Sequence, residues 1–226
     1  MRLLTQSVLI ATLAVWVVGL TVVKANEVSG GCLHGVTQGS EATPVLACPD
    51  SDPLHLADNA DIQKAMKMLG INSSSVQFKG CEKLSFSASP IGGSVPHTYV
   101  VSYPTEVKEK FLAPILHELS HVMQMEASGG LTQLRNEYKS KRIELAADYL
   151  TGVMFSKIFP QAALKEFEQN ILLVGLYVEP DVNAHGTPAQ RGQAFRRGVF
   201  GSSDKIDDDM RNVSLNFQRN IYGHIL

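Results

Sequence analysis

Residues 111–124, FLAPILHELSHVMQ, hold His117 and His121 four apart, with Glu118 directly after the first histidine. Leu112, Leu116, Leu119 and Met123 recur at helical spacing and form an apolar stripe through the same stretch. On a helix, residues four apart share a face. Two neutral imidazoles there reach one zinc ion at about 2.0 Å each. Glu118 projects to the side, where a carboxylate meets a zinc-bound water without ligating the metal, as a general base does. The competing reading is an amphipathic helix whose histidines carry nothing. The helical pattern extends from about Pro104 to Glu126, and Pro114 should kink it or restart it just before the motif.

A second pattern follows in NEYKSKRIELAADYLTGVMF, within a helix expected over about 131–159 and stopped by Pro160. Glu144 and Asp148 are four apart and share a face. Glu144 can supply a third metal ligand, and Asp148 can accept from the far nitrogen of a ligating histidine, fixing its tautomer. Like charges at this spacing mildly destabilise an isolated helix, so a nearby cation would explain them. Gly152 lies one turn further along the same face, where a missing side chain would let this helix and the HExxH helix approach closely. Further on, His185 precedes Thr187 and Pro188, which read as N-cap and first residue of another helix. His185 can hydrogen-bond a developing oxyanion or compete as a removable ligand. Arg191, Arg196 and Arg197 are available to pair with Asp148 or with Asp207, Asp208 and Asp209. His34, His55 and His224 have no partner at ligand spacing, and His97 opens the strand before the HExxH helix.

Working outward, Asp58 can cap a helix over about 59–69 that ends at Gly70. KLSFSAS (83–89) and HTYVVSY (97–103) read as strands. A helix is expected over about 161–176 and a last one over about 203–222. These elements describe an α+β fold, mostly helical, with a small, mainly antiparallel sheet ahead of the HExxH helix.

The whole chain has 226 residues, 44% hydrophobic and 19% charged, which suits one domain with a real core. It opens with an apolar run from Ser7 to Val23, followed by Lys24 and Ala25. Residues 1–25 read as a cleaved signal peptide or as a retained N-terminal anchor, and either way the remainder, 26–226, is exported. Without residues 1–25 there are 18 basic against 22 acidic residues, a charge of about −4. With no basic tract, nucleic acid is excluded as a main partner. Membrane contact is limited to a retained anchor. Cys32, Cys48 and Cys81 allow one disulfide in an oxidising compartment, with Cys32–Cys48 the local choice.

HExxH, ELAAD with glycine four residues on, and HGTPAQRGQAFRRG together resemble the neutral zinc metallopeptidases of bacteria. LACPDSDPLHLAD is similar to a strand region of that family, and Gln124 ends its active-site helix in the same way. The resemblance spans about residues 46–201. More distantly, the chain is similar to HtpX-like metallopeptidases. Val122 and Tyr149 stand where the family often has histidine and cysteine. The resemblance implies a zincin-like fold of gluzincin type, with His117, His121 and Glu144 on zinc and Glu118 catalytic. It also implies a peptide or protein substrate, and a histidine near the metal at His185. Two other classes stay open: a zinc-binding, non-catalytic or chaperone-like protein, and a metal-free structural protein of the cell envelope.

Overall fold

The computed structural model of the protein describes residues 51–81, 86–91, 98–105, 112–174, 185–201 and 209–225. The expectations for residues 1–50, for His97 and for the acidic pair Asp207 and Asp208 lie outside these. Among the described residues no helix is long and apolar enough to cross a membrane.

The architecture is mostly helical with one three-stranded sheet, as the sequence patterns imply. Helix α1 (Ala60–Leu69) is capped by Asn59, whose Oδ1 accepts from the amides of Asp61 and Ile62 at 3.0 and 3.1 Å. The cap is therefore one residue later than Asp58, because Asn59 is the last residue in extended conformation. Gly70 ends the helix in the left-handed region, at φ 69°. Ahead of α1, the stretch expected as strand is loop and a 3-10 turn at Leu56–Asp58.

The strands are β1 (Val76–Cys81), β2 (Ser87–Ile91) and β3 (Thr98–Pro104), in sheet order β1-β3-β2. β1 was not expected, although Val76 and Phe78 alternate with Gln77 and Lys79. The sheet is mixed where a mainly antiparallel one was expected: β3 is antiparallel to β2 and parallel to β1. β3 turns back from β2 and enters the slot beside β1, whose direction it then shares. It is also the most apolar strand, with Tyr99, Val100, Val101 and Tyr103 buried, which suits a strand paired on both edges. Cys81, at the end of β1, is disulfide-bonded; the Cys32–Cys48 expectation lies outside the described residues.

Helix α2 (Leu112–Ser128) packs against β2 and β3. Pro114 falls in its first turn, where a missing amide costs no intrahelical bond, so the helix starts before the motif instead of kinking within it. The expected long helix is two: α3 (Leu131–Glu137) and α4 (Ser140–Ile158), broken at extended Tyr138 and Lys139. No glycine or proline marks the break. Tertiary contact holds it: the Arg142 guanidinium lies over the Tyr138 and Tyr222 rings, 5.5 and 5.0 Å from their centroids. Helices α5 (Leu164–Val174), α6 (Pro188–Gly201) and α7 (Met210–Asn216) follow. α7 starts at the Asp209 cap and continues as a π-helical turn over Phe217–Ile221.

Helices α2 and α4 are buried all round, from Ala113 to Met125 and from Ile143 to Phe155. A helix of that kind is a core element. α6 packs along α4 at a glycine crossing. A Cβ on Gly152 would overlap the Phe195 carbonyl oxygen, and one on Gly198 would overlap that of Tyr149. The close approach at Gly152 is thus between α4 and α6, not between the two motif helices as expected. Phe155, Phe167 and Phe195 fill the space beside it, with ring centroids 4.9–6.4 Å apart.

Candidate metal centre

The two central helices carry polar side chains into a dry core. His117, Glu118, His121 and Asp148 have no solvent exposure, and Glu144 is 3% exposed. Buried polar groups are costly unless paired, so their partners are informative. His117 Nε2 lies 3.1 Å from His121 Nε2 and 3.2 Å from Glu144 Oε2, and His121 Nε2 lies 3.5 Å from the same oxygen. Ligand atoms about 2.0–2.1 Å from a tetrahedral ion would be separated by roughly 3.3–3.4 Å. The observed triangle fits those edges.

The far nitrogens decide what the triangle offers. His117 Nδ1 faces Asp148 Oδ1 at 2.9 Å, and a carboxylate only accepts. His121 Nδ1 faces Gln124 Oε1 at 2.8 Å, and Gln124 Nε2 donates to the Ile143 carbonyl at 3.0 Å, which fixes the amide's orientation. Facing acceptors, the two Nδ1 atoms are the ring nitrogens suited to carry the protons. In neutral imidazoles both Nε2 atoms are then lone pairs, and they converge with a carboxylate oxygen. Three acceptors in a buried triangle repel one another unless a cation sits among them. The group can hold a metal ion.

A proton is the other cation that could serve. Burial by itself would lower the His117 pKa, but the Asp148 and Glu144 carboxylates outweigh it and raise it. Burial would raise Glu144, yet the imidazoles of His121, His117 and His185 hold it well below the carboxylate range. Asp148 is also held low, against burial, by Arg191 and then His117. In the metal-free protein the raised His117 contributes stability that is fully present below about pH 6.5, its unfolded value. That contribution is lost as pH rises through the folded value. Protonated His117 cannot ligate, so metal and proton compete. The rise in unfolding midpoint on adding zinc should therefore be near zero at pH 5 and largest near pH 8. Calorimetry across that range checks it, and an equal rise at both ends would count against histidine ligation.

His185 comes to the same place. It is 8% exposed, and its Nδ1 lies 3.4 Å from Glu144 Oε2. Gly186, at φ 85°, turns the chain into α6. Thr187 and Gln190 then cap that helix reciprocally, at 3.2 and 3.0 Å. Of the three arginines offered to Asp148, Arg191 takes it, while Arg196 pairs with Glu168 at 2.8 Å. His55 and His224 are exposed and belong to no such group.

No protein-family model, characterised protein or solved structure matches the chain. Five of the six candidate residues, His117, His121, Glu144, Asp148 and His185, meet on α2, α4 and the turn into α6, and Glu118 is buried next to His117 in the sequence of α2. Two supports went unassigned in the sequence: Gln124, three residues after His121, and Gly198, the second half of the crossing. The spacing of Gln124 was a usable signal; the facing of Gly152 by Gly198 has no local signature.

Proposed function

We propose that the chain is a zinc-dependent peptidase. One observation carries the reading: His117, His121 and Glu144 form a buried group that can hold a metal ion, and Glu118, also buried, directly follows His117 on α2. Simple metal storage has no use for a carboxylate there. Two imidazoles and one carboxylate suit zinc, and three protein ligands are the pattern of a catalytic site with an open position. Bound there, zinc would polarise a peptide carbonyl and bring the pKa of water toward neutrality. Glu118 takes the proton from the attacking water and returns it to the leaving amine. His185 hydrogen-bonds the developing oxyanion. Asp148 and Gln124 hold the ligand imidazoles in the tautomer that leaves Nε2 free for metal.

An extended peptide or protein segment is the substrate, added to the sheet as a strand. β3 is central, so among the described strands β1 and β2 offer the outer edges. Export is supported by the apolar run at residues 7–23 and by the disulfide at Cys81, since such bonds persist in oxidising compartments.

A non-catalytic metal protein of the cell envelope is the second reading, favoured by the near-complete burial of the site. One variant separates the two. Glu118→Gln should keep its metal, measured by elemental analysis, and lose cleavage of a peptide library by about 100- to 10,000-fold. Loss of metal in that variant, or a wild type that takes up zinc but cleaves nothing, would leave the second reading standing.

A further inference from the structure

We propose that Arg191 is a positioning residue for the metal centre, acting through Asp148 on His117; this rests on the metal-centre reading above. Arg191 stands in the first turn of α6 and is 2% exposed. Its Nε donates to Asp148 Oδ2 and its Nη2 to Oδ1, both at 2.8 Å. This is the two-pronged match of guanidinium to carboxylate that fixes orientation as well as distance. Asp148 Oδ1 is the same oxygen that faces His117 Nδ1 at 2.9 Å. Turning the carboxylate to favour another partner would break both bonds to Arg191. The plane of the acceptor offered to His117 is therefore set from a different helix.

A purely structural reading of the pair is weak on physical grounds. Buried ion pairs contribute little net stability compared with well-packed apolar residues. α4 and α6 are already joined by the glycine crossing and the phenylalanine cluster. What an apolar pair could not do is present His117 with an oriented acceptor. That acceptor holds the proton on Nδ1 and turns the Nε2 lone pair toward Glu144 and His121. His121 has its own device, Gln124 on its own helix, so the two ligand histidines are supported independently. Loss of Arg191 should disturb one and spare the other.

The test uses the full chain loaded with Co2+, whose paramagnetism shifts the imidazole N–H protons of ligating histidines far downfield in proton NMR. Wild type should show two such exchangeable resonances, and Gln124→Ala assigns the one belonging to His121. In Arg191→Met, Co2+ and Zn2+ affinity should fall about 10- to 100-fold. The His117 resonance should broaden or vanish while that of His121 persists. Arg191→Lys keeps the charge but not the fork, and should recover part of the affinity; it also serves if the methionine variant fails to fold. Wild-type affinity with both resonances intact in either variant overturns the proposal. So does joint loss of both resonances, which is a general loosening. A wild type that takes up neither metal ends the metal-centre reading itself, and is distinguishable because it precedes any variant.

Discussion

Alanine at Gly152 should cost about 3 kcal/mol or more, a fall in thermal midpoint of roughly 6–12 °C for a chain of this size. The added carbon would overlap the backbone carbonyl of Phe195, so no side-chain rotation relieves it. α6 must move away from α4 as a body, opening the contacts among Phe155, Phe167 and Phe195. Gly198→Ala meets the Tyr149 carbonyl and should behave alike. Gly201→Ala is the control: nothing lies within 4 Å of its Cβ position. In a helix it should be neutral or mildly stabilising. Equal midpoints for all three variants would mean that the crossing is looser than described.

Glu144→Ala should abolish the metal response altogether. One of three protein ligands is removed, and the remaining histidines share a single helix. Wild-type protein with metal at 100 times its Kd gains about 2.7 kcal/mol, or roughly 5–11 °C in midpoint. The variant should gain nothing at the same concentration, and elemental analysis should find no ion. This is the reverse of the pattern for Glu118→Gln, so the two glutamates together assign ligand and base. Retention of metal by Glu144→Ala would remove Glu144 from the ligand set.

The grouping of the candidate metal ligands was legible because it is written at helical spacing. His117 and His121, and Glu144 and Asp148, need only a helix to share a face, and apolar residues on both sides announce one. The caps at Gly70 and Pro188 were legible for the same local reason. What escaped was decided at a distance. β3 lies between β1 and β2 because of how the chain doubles back, not because of any residue in it. The Arg142 guanidinium after the break between α3 and α4 lies over Tyr222, over eighty positions from Tyr138. The choice of Arg191 over Arg196 follows from the rotation of α6 on α4, which the glycines determine.

The glycine crossing also changes what counts as a recognisable signature. A pattern built from metal chemistry would list only HExxH and the glutamate. The fold adds Asp148, Gly152, Arg191 and Gly198, spaced as E-x3-D-x3-G on α4 and H-x5-R-x6-G leading into and along α6. Two glycines on separate helices can exchange with larger residues only together with the spacing between those helices. Among diverged chains built this way they should drift less than the surface around them, and their joint presence should tell a true relative from a chance HExxH.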